Sequence, residues 1–142
     1  MADEKELQEK ALVYKILESR LESFAKQRDL LVQRMIELES TIESIKELGK
    51  TKDEVLFPLG SSAYTFGKTT SGKMIVEVGA GVALEETPEE AMKILEDRKK
   101  EVEDVLKNIQ NQMIDVVNKL DILSQELQSL AEEHDHEHLE GG

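Results

Sequence analysis

Along two long stretches of the chain, apolar residues fall at heptad spacing, and between them the spacing changes to the strand period. From Leu7 the first stretch reads Leu7, Tyr14, Leu21, Arg28, Met35 and Ile42, with companions at Lys10, Leu17, Phe24, Leu31, Leu38 and Ile45. Ten of these twelve are apolar, a repeat sustained beyond the three or four heptads that mark a coiled coil. Asp3 with Glu6 reads as an N-cap and capping box, and Gly49 stands where a C′ glycine ends a helix. The pattern predicts a helix over 3–48, roughly 65–70 Å long at its rise per residue. The second stretch places Met92, Lys99, Leu106, Met113, Leu120 and Leu127 on one row and Leu95, Val102, Ile109, Val116, Leu123 and Leu130 on the next. Its start is complete: Thr87 can cap, Pro88 suits the first helical position, Glu90 closes the box, and the acids favour the dipole's positive end. A helix over 88–133 follows. Two rods of equal length joined by a compact element are expected to fold back as an antiparallel pair, with both chain ends at one tip.

Arg28 and Lys10 interrupt the first seam, and their stems are expected to lie along it with the charges at the surface. A part in fixing register is the alternative. Leu12 and Ile16 in the first arm and Ile122 in the second fall on outward positions, with Ala11 and Val13 widening the stripe. A two-helix seam does not need them, so they form a candidate apolar patch near the tip. Leu30, Ile36, Ile94 and Ile114 are outward too, so apolar residues off the seam are not confined to the tip.

Within the expected β-hairpin region, 50–86, the stretch from Val55 to Leu84 is rich in glycine and β-branched residues and low in charge. The run Val55-Leu56-Phe57-Pro58-Leu59 suits an edge or bulge, because Pro58 cannot donate to a ladder. Tyr64 and Phe66 share one face, and after Thr70-Ser71-Gly72 so do Met74, Val76 and Val78, which reads as a hairpin with a glycine-containing loop. Gly79 and Gly81 flank Ala80 and predict a bulge before a further strand from Val82 to Leu84. There is material for two hairpins. Two thin helices cannot cover the face made by Tyr64, Phe66, Met74, Val76 and Val78, so copies or relatives are expected to pair their hairpins.

The remaining features mostly exclude. In 142 residues only 39% are hydrophobic and 4% aromatic, which is thin for a globular core but ordinary for a coiled coil. The net charge of -13 sets the chain against phosphate backbones and anionic membranes, so neither nucleic acid nor membrane is an expected partner. With no cysteine there is no disulfide or thiol chemistry. No signal-peptide pattern opens the chain and no apolar run spans a bilayer, which points to the cytoplasm. Gly67 to Lys73 satisfies half of a phosphate-binding loop. Met74 stands where a hydroxyl should ligate magnesium, and a strand follows in place of a helix, so a turn is expected. His134, His136 and His138 lie in a polar stretch, 134–142, read as a disordered tail without a defined metal shell. No nucleophile is set beside a base. The chain is expected to be no enzyme and to hold no cofactor.

The wording of the β region resembles the alpha class of prefoldin subunits, of the archaeal type. The carriers are Phe57-Pro58-Leu59-Gly60-Ser61-Ser62-Ala63-Tyr64, Gly67, Val76-Glu77-Val78-Gly79-Ala80-Gly81-Val82 and Thr87-Pro88-Glu89-Glu90-Ala91. Phe57 stands for a usual Val and Ser62 for a usual Gly; the histidine tail lies outside the family pattern. The resemblance covers nearly the whole chain as one domain. It implies a mainly α fold: a long antiparallel coiled coil with two central β-hairpins that oligomerise into a β-barrel platform. It also implies two alpha-class subunits joined to four beta-class subunits in a hexamer, and capture of non-native polypeptides at the coiled-coil tips without ATP. Transfer to a group II chaperonin follows. Assembly is then expected to rest on Leu56, Leu59, Tyr64, Phe66, Met74, Val76, Val78 and Val82, and client contact on Leu7, Leu12, Val13, Ile16, Leu123, Leu127 and Leu130. The alternative is a structural coiled-coil scaffold or filament subunit that binds no client.

Overall fold

A computed structural model describes residues 2–51 and 53–140, with side chains over 4–51 and 53–133. The element order is α1 (Ala2–Lys50), β1 (Val55–Gly60), β2 (Ala63–Gly67), β3 (Met74–Gly79), β4 (Val82–Glu86) and α2 (Pro88–Glu140). The chain divides into two units: Met1–Val32 with Asp104–Gly142, and Gln33–Glu103.

Every heptad position counted in the sequence lies in the seam. All twelve in α1 and all twelve in α2 are buried or half-buried, and the residues between them are mostly exposed. The cause is the 3.5-residue repeat, which keeps one row of side chains against the neighbouring helix. In the second unit Leu38, Ile42, Ile45, Ala91, Leu95 and Val102 are buried. There Lys99, the one charged seam position of α2, sends its Nζ to Glu39 Oε1 on α1 at 3.4 Å. Among the described residues of the first unit only Ile109 and Val116 are buried.

Two hairpins form as expected, with a bulge before the last strand, but one pairing differs. β1 pairs antiparallel with β2 and β3 with β4, as two separate sheets, so the Tyr64–Phe66 strand does not pair with Met74–Val78. The reason lies in the two-residue turns. Ser61 and Ser62 both take positive φ (47° and 65°), as do Ala80 and Gly81 (52° and 76°). That backbone matches the twist of the flanking strands and closes a tight hairpin. Each turn follows a bulge, at Gly60 and Gly79, with φ of 108° and 111° that a side chain would resist. The Gly67–Lys73 stretch is a connector: Ser71 Oγ accepts the Lys73 N–H at 3.2 Å and the chain enters β3.

The single apolar face expected across β2 and β3 is correspondingly split. In the first hairpin Leu56, Pro58, Tyr64 and Phe66 share an exposed face, and Val55 and Phe57 share a half-buried one. In the second, Val76 is buried with Met74 half-buried beside it, and Ile75 points outward. The Arg98 guanidinium on α2 donates to the Glu77 carbonyl and ties β3 to the helix. Gly67 lies close under the Phe57 ring: a Cβ there would stand 3.1 Å from it, and the ring would have to shift by a few tenths of an ångström.

All four helix ends also differ. α1 begins at Ala2, so Asp3 lies inside the helix and not at its cap. Gly49 takes no left-handed φ and sits inside α1, which runs to Lys50. At the start of α2 the Glu90 N–H donates to Thr87 Oγ1 at 3.2 Å, as a cap should. The other half of the box is not made among the described residues, and the Glu90 carboxyl lies against Glu86 instead. α2 is helical to Glu140, past the expected end at 133, since no glycine or proline intervenes before Gly141. The side chains of His134, His136 and His138 lie outside the described residues.

Candidate functional site

Two surfaces carry apolar side chains that the fold leaves uncovered. The first is the end of the helix pair near residues 7–17 and 120–130. There Leu7, Leu123, Leu127 and Leu130 take part in the seam and remain half-exposed. Leu12 (60%), Ile16 (57%) and Ile122 (56%) are well exposed, as is Val13. Helical geometry puts Leu12 and Ile16 one turn apart on the same face of α1. The antiparallel register in this unit is marked by Lys10, whose Nζ lies 3.0 Å from Glu126 Oε2 and 3.3 Å from Glu6 Oε1. By that register Ile122 stands at the level of Tyr14, between Val13 and Ile16. Lys10 is thus more than a snorkelling stem: it joins the two helices. The hydrogen bond to Glu126 raises its pKa above the usual lysine range, against the lowering effect of burial. Among the described residues Arg28 by contrast pairs only with its neighbour Asp29, at 3.3 Å.

The second surface is on the hairpins. Leu56, Leu59, Tyr64 and Phe66 are exposed on the first, Val78 and Val82 on the second. Of the expected assembly residues, Val76 is the one the chain buries for itself, and Met74 is partly covered. Ile75, at 73% exposure, and Leu84 were absent from the expected set. Alternation could have found Ile75, but only knowledge of which face meets α2 assigns it to the outside. Single exposed apolar residues also occur mid-helix, at Leu30, Ile36 and Ile114.

Among the described residues there is no group of three or more metal-ligating side chains, and no helix is long and apolar enough to cross a membrane. Glu86 is pushed above the ordinary glutamate range by its hydrogen bond to Glu90, with burial and the like charge adding to the effect. That pair sits at the strand-to-helix junction, beside the Thr87 hydroxyl that caps α2.

A family profile described as Prefoldin subunit matches residues 17–133. The chain belongs to the prefoldin family. Prefoldin subunit alpha of Pyrococcus horikoshii is 33% identical over 101 residues, spanning 68% of this chain and 68% of that protein. Prefoldin subunit alpha of Archaeoglobus fulgidus is 33% identical over 107 residues, spanning 72% and 77%. The fold is similar to the cryo-EM structure of filamentous PFD from Methanocaldococcus jannaschii, with a TM-score of 0.70 at 23% identity, covering 82% of this chain and 98% of that one. The chain is accordingly an alpha-class prefoldin subunit, a chaperone-type component of an oligomer of prefoldin subunits.

Proposed function

We propose that this prefoldin subunit acts in an ATP-independent holdase that captures non-native polypeptides at the coiled-coil tips and passes them to a group II chaperonin in the cytoplasm. One observation carries the reading: Leu12, Val13, Ile16 and Ile122 are exposed near the tip, on positions outside the seam. Soluble chains seldom leave apolar residues clustered without a use. Weak, non-directional contacts of this kind accept many sequences, and several arms on one complex multiply modest affinities into useful avidity. The exposed hairpin residues Leu56, Leu59, Tyr64, Phe66, Val78 and Val82, with Met74, Ile75 and Leu84, form the assembly surface. Through it two alpha-class chains join four beta-class partners in a β-barrel platform.

The test is light scattering of a chemically denatured protein diluted into the assembled complex without nucleotide. Leu12→Ser with Ile16→Ser is expected to leave assembly intact and abolish suppression of aggregation. Unchanged suppression places client binding elsewhere. The filamentous state of the Methanocaldococcus jannaschii neighbour supports a second reading, in which the hairpins polymerise into a scaffold. Sizing separates the two: a closed hexamer with a beta-class partner favours the holdase, and open-ended polymers of this chain alone favour the scaffold.

A further inference from the structure

The tip is the least well sealed part of its helix pair, and a charge sits in its seam. Among the described residues of this unit, none in α1 and none in α2 from Val117 onward is buried. Ile109 and Val116, in the same unit, are. Lys10 occupies a seam position where leucine stands one heptad later, at Leu17. Its half-buried ammonium is held by Glu126 across the seam and by Glu6 one turn back. Among the described residues of this unit it makes the one ion pair between helices. Beside it lies an open cleft of about 440 Å³ walled by Ile122, Gln125, Ser129 and Leu130.

We propose that Lys10 and Glu126 form an electrostatic latch that holds the last seam layers shut and yields during client capture. Leu7, Leu123, Leu127 and Leu130 then join Leu12 and Ile16 as binding surface. This rests on the tip being the client site. The chemistry suits a latch better than a lock. An apolar side chain at position 10 would bury permanently against α2. A partly exposed ion pair contributes little and is screened by salt. When the helices part, both charges regain water, so the open state carries no stranded charge. What it does carry is uncovered leucine, which an unfolded polypeptide covers.

The chain has no cysteine, so Gln8→Cys with Gln128→Cys gives two exposed label sites, one on each helix. Spin-label distances are measured on the full chain in its assembled complex, from about 0.05 to about 1 M NaCl, where the screening length falls to about 3 Å. The parent protein is expected to gain a long-distance population several-fold with salt. Lys10→Met, which completes the apolar row, is expected to show short distances at all salts. Glu126→Lys, which sets two cations together, is expected to show long ones throughout. Capture of a denatured protein should fall several-fold in Lys10→Met and rise in Glu126→Lys. Distances that ignore salt, or that are shared by all three proteins, overturn the latch. Distances that respond while capture stays constant overturn its part in capture. Whether the tip binds clients at all is decided separately, by the Leu12→Ser and Ile16→Ser variant.

Discussion

Replacing Leu56 and Phe66 together by serine tests the assembly surface. The two are opposite each other across β1 and β2 and share the outward face of the first hairpin. In the single chain Leu56 retains 56% and Phe66 72% of its exposure. Most of their burial is therefore available only to a partner. Full burial of such a side chain is worth about 1.5–3 kcal/mol, so covering the exposed fractions gains roughly 1–2 kcal/mol at each position. The double variant should weaken the subunit contact by about 2–4 kcal/mol, or roughly 30- to 1,000-fold in Kd. The isolated chain should unfold as the parent does, to within about 0.5 kcal/mol, because exposed substitutions cost little. The assay is sedimentation velocity of the chain mixed with a beta-class partner, alongside thermal unfolding of the chain alone. Thr65→Ser, on the opposite face of the same hairpin, is the control. The reasoning fails if assembly persists at parental affinity, or if the isolated chain loses stability comparable to the loss in assembly.

Three further outcomes follow from the same geometry. Arg98→Ala removes the guanidinium bond to the Glu77 carbonyl, and amide exchange in β3 and β4 should quicken by about tenfold while the α2 seam stays protected; equal exchange in both would remove the tether. Ser62→Gly relieves a positive φ at a turn position and should stabilise the first hairpin by about 0.5–1 kcal/mol, read as a raised unfolding midpoint; a loss of stability would contradict the strain. Glu86, its pKa raised by Glu90, holds its proton more tightly in the folded chain than in the unfolded one, so its contribution to stability is lost as pH rises through the raised value. Glu86→Gln should therefore be more stable than the parent at neutral pH, with the gap closing in acid; a gap independent of pH would refute the pairing.

The helices were legible in the sequence and the strand pairing was not, for reasons visible in particular residues. Leu38, Ile42, Val102 and Val116 are buried because heptad spacing alone sets which side faces the other helix. Even Lys99 and Lys10, the wrong chemistry for a seam, keep their places by finding acids across it. The hairpins turn on Ser61-Ser62 and Ala80-Gly81, neither of which is the Asn-Gly that signals a tight turn. Gly72, in the connector, signalled one instead. The face of each strand was equally hidden. Alternation separates Ile75 from Val76, but only packing on α2 and the Arg98 tether decide that Val76 goes in and Ile75 out. At the tip the outward Leu12, Ile16 and Ile122 could be read from register. The Lys10–Glu126 pair could not, since it depends on how the two helices align.

Site-specific photocrosslinking tests the central claim most directly. A photoreactive residue is placed in turn at Leu12, Ile16 and Ile122, and at the equally exposed Leu30, Ile36 and Ile114. The assembled complex is irradiated with a denatured polypeptide and no nucleotide. Adducts concentrated at the first three positions are predicted. Adducts spread evenly over all six, or found mainly at the mid-helix positions, would contradict capture at the tips.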